Sequence, residues 1–329
     1  MSPLDPGTYR APWWLPGGNL QTVWAALYAR RGDGVAPRYR REQWATSDGD
    51  FIDVDFALHD AAPDAPLLVL FHGLEGSSRS QYAESFAFAA ARRGWAFAVP
   101  HFRGCGGALN RAPRAYHSGD HEEIGWMLQR LRRTHGRPVL AVGVSLGGNA
   151  LLRWAEEAGD SAPRQAAAVA AVCSPIDLRA SALAIGRGFN RHVYTRMFLA
   201  SMKPKALAKL VQHPGLFDGE ALRAARDLHA FDDAFTAPLH GFRDAEDYWA
   251  RCSAAPRLGD IRLPALVLNA DNDPFVPAAS LPVSVPGRWV GLWRTRQGGH
   301  VGFPRGGLPP GDVNAMPQAV CGWLAAHIT

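Results

Sequence analysis

Five consecutive residues, Gly143-Val144-Ser145-Leu146-Gly147, constrain this chain more than any other stretch. They follow an unbroken apolar run (VLAVGV, 139–144) and lead through Gly148-Asn149 into ALLRWAEEA, a helical pattern. A serine between two glycines at the junction of a doubly buried strand and a helix reads as a sharp strand-to-helix turn. The turn lifts the hydroxyl clear of the backbone, and the glycines let strand and helix close on each other. Read as a glycine-rich turn with an incidental serine, the motif leaves that placement between strand and helix without a reason.

A serine hydroxyl is a weak nucleophile at its free pKa, so Ser145 needs a base and a third group that orients the base. On such a turn the chain order is serine, acid, histidine. Of twelve histidines, His300 stands late in the chain, in Gly298-Gly299-His300, just after the last strand candidate (RWVGLWR, 288–294). That position overhangs the carboxyl ends of the strands, where open α/β sheets bind ligands. The acid follows the strand LPALVLNA (263–270), and Asp271 and Asp273 both qualify, the loser being an ordinary turn aspartate. An oxyanion hole needs two backbone N–H groups. Leu146 supplies one and Leu74, in the loop His72-Gly73-Leu74-Glu75-Gly76 after LLVLF, supplies the other. His72 reads as a structural residue of that loop. Cys105 has no paired base and reads as a turn residue.

Strand and helix patterns alternate through most of the chain, which predicts an α/β fold with a mostly parallel sheet covered on both faces. Residues 40–58 read as a hairpin around Ser47-Asp48-Gly49-Asp50. Asp120, with Glu123 three residues on, reads as a capping box for the next helix. Residues 176–255 break the rhythm, with helical pieces and many large apolar side chains. The expected organisation is therefore a core formed by 1–175 and 256–329, with 176–255 inserted as a helical cap.

Composition excludes several other classes. The net charge of +5 is scattered, and its densest patch, Arg130 to Arg133, reads as a solvated helix end, so nucleic acid is not an expected partner. The four cysteines, Cys105, Cys173, Cys252 and Cys321, lie far apart, which argues against a zinc ribbon, a redox pair or a disulfide framework. The N-terminal stretch lacks a signal-peptide pattern, and there is no run of eighteen apolar residues to span a membrane. The expectation is a cytoplasmic protein; its basic charge and apolar cap are compatible with peripheral membrane contact.

Several further stretches stand in a recognisable order: Asn19-Leu20-Gln21-Thr22, Phe71 to Ser78 (FHGLEGSS), His101 to Gly107 (HFRGCGG), Tyr116-His117-Ser118-Gly119, the turn at Ser145, Asn272-Asp273-Pro274-Phe275, and Gly298 to Phe303 (GGHVGF). In these the chain resembles the YheT-like branch of the α/β-hydrolases, the AB hydrolase 4 family. The resemblance implies an α/β-hydrolase fold with a Ser145-Asp273-His300 triad, acting on small-molecule or lipid esters without cofactor or metal. It selects Asp273 over Asp271. Arg103 and His117 then become candidates for substrate contact or for bracing the site loops, and Phe189 and Phe198 of the cap become candidates for an acyl pocket. An acyltransferase would share the acyl-enzyme step and stands as the alternative; a fold retained only for binding is a third reading.

Overall fold

The computed structural model describes residues 5–32, 34–62 and 64–328; the first four residues of the N-terminal stretch lie outside the described residues. Helix α1 (Gly18–Leu27) precedes a hairpin of β1 (Tyr39–Ala45) and β2 (Phe51–Ala57). Then β3 (Leu67–Phe71), α2 (Gln81–Ala91), β4 (Ala96–Pro100), α3 (His121–His135), β5 (Val139–Val144), α4 (Leu146–Ala158) and β6 (Ala168–Val172) alternate. The eight-stranded sheet has the order β1-β2-β4-β3-β5-β6-β7-β8, with β7 at Ala265–Ala270 and β8 at Val290–Thr295. Pairing is antiparallel from β1 to β4 and parallel from there on.

The apolar runs become central strands because both faces of the sheet are covered. Leu67, Val69 and Phe71 of β3 face a core shared with α3 and α4, while Leu68 and Leu70 face the opposite core, shared with α2 and α12 (Ala315–Ala325). Each such side chain contributes roughly 1.5–3 kcal/mol by leaving water. The last turn of α3 carries Arg132, Arg133 and His135, cations that suit a helix C-terminus, and Arg130 lies 4.5 Å over the ring of Trp44.

One expectation fails at the start of α3. Asp120 makes no capping bond to the helix. Both of its carboxylate oxygens accept from Arg114, at 2.9 and 2.8 Å, and Glu123 accepts from Arg103 at 2.6 Å. Charge-assisted pairs made by these arginines outcompete the cap.

Between β6 and β7 the described residues form no strand. The segment contains α5 (Leu178–Ile185), α6 (Gly188–Asn190), a wide turn at Arg191–Thr195, α7 (Arg196–Gln212), α8 (Gly219–Ala224), α9 (Leu228–Phe231), a second wide turn at Asp232–Thr236, α10 (Ala237–His240) and α11 (Ala245–Cys252). Leu199, Phe217, Leu222, Phe231 and Phe235 form a small core of their own there. No helix among the described residues is long and apolar enough to cross a membrane.

Candidate active site

At the end of β5 the chain reverses into α4 so tightly that side chains are excluded. A Cβ on Gly143 would stand 2.4 Å from the Gly147 carbonyl oxygen, and one on Gly147 would stand 2.5 Å from the carbonyl oxygens of both Phe71 and His72. Ser145 between them sits at φ 52° and ψ −121°, a backbone region that costs a non-glycine residue about 1–3 kcal/mol. The surrounding packing holds that strain and leaves Oγ standing off the turn.

Ser145 Oγ lies 3.0 Å from His300 Nε2, and His300 Nδ1 lies 2.9 Å from Asp273 Oδ2. With Nδ1–H donating to the carboxylate, Nε2 is free to accept the serine proton. The second Asp273 oxygen accepts from the N–H groups of Phe275 and Val276, at 2.7 and 3.2 Å, so the buried carboxylate is fully partnered. Asp271, the other aspartate of the loop, points away and pairs with Arg294 near the surface. The structure thus brings Ser145, His300 and Asp273 together and leaves Asp271 out.

The loop bearing His300 is held by side chains from three other segments. Four successive N–H groups donate outward: Gly298 to Gln21 Oε1 (2.9 Å), Gly299 to Asn272 Oδ1 (3.0 Å), His300 to Thr22 Oγ1 (2.8 Å) and Val301 to Cys173 Sγ (3.3 Å). Gln21 Oε1 also accepts from Asn272 Nδ2 at 2.9 Å, which ties the acid loop to the histidine loop. Close approach is built in here too, since a Cβ on Gly299 would meet the Gly18 carbonyl oxygen at 2.7 Å. Reading the sequence did not assign Gln21, Thr22, Asn272 or Cys173 to the site. The available signal is that Asn19 to Thr22, and Asn272, stand in the stretches that carry the family resemblance.

The opposite wall is the loop after β3. His72 is fully buried, donates Nδ1–H to the Gly73 carbonyl (2.8 Å) and accepts from the Phe102 N–H (3.1 Å). Burial, with His101 beside it, lowers its pKa to about 3, so it stays neutral as a scaffold residue. Gly73 N–H donates to Tyr82 Oη and Glu75 N–H to Tyr116 Oη, both at 2.9 Å. These bonds fix the loop on either side of Leu74, whose N–H has no partner among the described residues. The Leu146 N–H, at the first turn of α4, has none either. Both leucines border the same cavity as Ser145.

That cavity, of about 160 Å³, opens between the ends of the strands and the helices inserted after β6. Phe198 lines it and packs on Phe275, whose ring lies 4.3 Å from that of His300. Phe189 does not line it: the side chain is 57% exposed and turned outward, edge-on to Tyr194. Arg103 borders the cavity, but its guanidinium is taken by Asp48, Asp50 and Glu123 at 2.8, 2.7 and 2.6 Å, so it braces the loop. His117 also borders it, packed against His240, Phe242 and Tyr248, and burial lowers its pKa to about 3. Burial pushes the Cys105 thiol up to about 12, which keeps it protonated.

Cys173, Asp273 and His300 bring ligand-type atoms within 4.8 Å of one another. Each is already committed to hydrogen bonds within the site, and burial pushes the Cys173 thiol well above its ordinary value. This donor set does not fit a resident metal.

A serine on a strained strand-to-helix turn, with acid and histidine on the loops after β7 and β8 of a mostly parallel sheet, defines a class of fold. The profile of the alpha/beta hydrolase fold matches residues 66–305, and the chain belongs to the α/β-hydrolases, in their YheT-like branch. It is 41% identical to the Escherichia coli protein named "Putative esterase YheT" over 94% of this chain and 91% of that one. It is 31% identical to "Medium-chain fatty acid ethyl ester synthase/esterase 2" of Saccharomyces cerevisiae, over 73% of this chain and 58% of the yeast protein. Among solved structures, an esterase from Thermogutta terrifontis shares the fold, with a TM-score of 0.51 at 17% identity over 88% of this chain and all of that one.

Proposed function

We propose that the chain is a serine hydrolase that cleaves carboxylic esters through an acyl-enzyme, with Ser145 as nucleophile, His300 as general base and acid, and Asp273 as the group that orients His300. The observation that carries this reading is the hydrogen-bonded series Ser145–His300–Asp273, at 3.0 and 2.9 Å, at the floor of an apolar cavity. In the forward step Ser145 Oγ bonds to the ester carbon as its proton passes to His300 Nε2. The carbonyl oxygen takes up negative charge facing the N–H groups of Leu74 and Leu146. As the tetrahedral centre collapses, His300 returns the proton to the departing alcohol. Water then repeats the sequence on the acyl-serine and releases the acid.

Residues 176–255 serve as the cap that closes the acyl side of the cavity, with Phe198 as a substrate contact. The apolar lining favours acyl chains longer than acetate, each buried methylene contributing roughly 0.8 kcal/mol until the cavity ends. The yeast relative, named for both synthesis and hydrolysis of medium-chain ethyl esters, supports that substrate class and also a second reading. An alcohol in place of water at the acyl-serine would make the same site an acyltransferase.

The test is labelling by a fluorophosphonate, comparing the native protein with Ser145→Ala and His300→Ala, followed by turnover of nitrophenyl esters from acetate to laurate. Labelling that disappears in both folded variants, with turnover rising along the chain series, is the expected result. A native protein that neither labels nor turns over any of these esters overturns the reading. Product analysis with an added alcohol separates hydrolysis from transfer.

A further inference from the structure

The helical run that walls the cavity shows the solvent a surface for which the reaction has no use. Between Asp177 and Asp218 the sequence carries seven Lys and Arg and no Asp or Glu. Four of these cations are engaged within the protein. Arg179 pairs with Glu246 and Lys205 with Glu75, both at 2.8 Å, Lys203 reaches the Arg223 carbonyl at 2.8 Å, and Lys209 is buried against the Ala112 carbonyl at 3.1 Å. The other three, Arg187, Arg191 and Arg196, are exposed, and their guanidinium groups have no ion-pair or hydrogen-bond partner among the described residues.

Apolar residues alternate with these arginines. Phe189, Val193 and Met197 are 57%, 37% and 54% exposed, and their spacing of four along the helical run 188–212 lines them up on one face. The inner side of the same run carries Tyr194 and Phe198, whose rings lie 4.6 and 6.0 Å from that of Phe275. One short helical run therefore separates the cavity from an exposed apolar row; Arg196, three residues from Val193, lies beside that row, and Arg187 and Arg191 lie at the exposed start of the run.

We propose that this face, Arg187 to Met197, docks the enzyme on an anionic lipid bilayer. The chemistry matches on both counts: arginines meet the negative headgroups while Phe189, Val193 and Met197 enter the boundary beneath them. An acidic polymer would satisfy the arginines and leave the apolar row in water. The inference rests on the ester-hydrolase reading for what docking accomplishes, the delivery of a bilayer-borne ester to the cavity; the binding itself does not depend on that reading.

The experiment is sedimentation of the full chain with vesicles of phosphatidylcholine alone and of phosphatidylcholine mixed with phosphatidylglycerol, beside turnover of a soluble nitrophenyl ester. The native protein is expected on the mixed vesicles and not on the neutral ones, with binding that weakens as salt is raised. Replacing all three cations (Arg187→Gln, Arg191→Gln, Arg196→Gln) should weaken that binding on the order of 100-fold, about fivefold per charge. Val193→Ser with Met197→Ser should weaken it roughly tenfold. Soluble-ester turnover and melting temperature should stay unchanged in both variants. Native protein that ignores the mixed vesicles, binds single-stranded DNA in their place, or binds them equally well after the three arginine replacements overturns the proposal. Vesicle binding without ester turnover would keep the docking surface and sink the hydrolase reading.

Discussion

At the turn around Ser145, backbone meets backbone with no room for a methyl group, whereas the helices over the cavity rest on the core through side-chain tethers and apolar side-chain contacts. Gly143 and Gly147 are fixed by contacts that any Cβ would break. The inserted helices are held by Asn190 to the Pro274 carbonyl (2.6 Å), Tyr194 to Asn19 (2.9 Å), Lys205 to Glu75 (2.8 Å) and the buried Lys209. Backbone close packing leaves no intermediate states, because interiors this dense do not yield gradually. Tethers and apolar contacts can be lost one at a time. Changes at the turn should therefore act all or none, and changes in the inserted helices by degrees.

The sharpest attempt to break that contrast is Gly147→Ala. Its methyl group would sit 2.5 Å from two carbonyl oxygens in β3 and its loop. The expected outcome is a loss of about 3 kcal/mol or more, with fluorophosphonate labelling abolished. A stable Gly147→Ala protein that still labels would show that the turn yields as the helices do.

Thr22→Val is the next largest expected effect, and it probes a third kind of support, a side chain that holds backbone. The variant keeps the shape of Thr22 and removes the acceptor of the His300 N–H. A base displaced by a fraction of an ångström loses much of its advantage, so kcat should fall on the order of 100-fold with KM within about twofold. Thr22→Ser keeps the hydroxyl and should recover most of the rate. If Ser and Val variants behave alike, Thr22 supports the fold and not the base.

This clamp also marks how far the site could be read from the sequence. Ser145, His300 and the acid loop were legible because each is tied to a local pattern: a glycine-framed turn, a strand end, a position in chain order. The doubly buried strands were legible for a similar reason, their unbroken apolar runs. The clamp was not legible, because Gln21 and Thr22 act across more than 270 residues of sequence and nothing local announces the bond. The capping box at Asp120 misled because its acids answer to Arg103 and Arg114, whose positions depend on the folded loop. Phe189 misled in the opposite way: composition marks a residue as apolar but does not say which side of a helix it faces.

Among the inserted helices, Phe198→Ala should show the graded behaviour. It removes a ring that packs on Phe275 at the cavity wall, without touching the turn. Turnover of octanoate esters relative to acetate should fall roughly tenfold, with acetate turnover nearly unchanged. Equal losses on both esters would mean that the ring positions Phe275 and His300 and does not simply fill acyl space, which would join the two regions that the contrast separates.

The smallest expected effect concerns the brace between them. Asp50 lies under the loop that carries Arg103, and Lys209 of α7 rests on that same loop through the Ala112 carbonyl. Burial pushes the Asp50 carboxyl up, but bonds from Asn110, the Arg111 N–H and Arg103 outweigh it and hold the pKa down to about 2 from 3.8. A depressed carboxyl contributes stability that is complete above its unfolded pKa and is lost as pH falls through its folded one. The native protein should therefore melt above Asp50→Asn near neutral pH, and the gap should narrow between about pH 4 and about pH 2. Fluorophosphonate labelling at neutral pH should be the same in both, because the brace supports the loop under α7 and not the serine turn. A variant that melts normally but labels slowly would place the brace on the catalytic side, and the turn would then depend on the ion cluster around Arg103 as well as on its own packing.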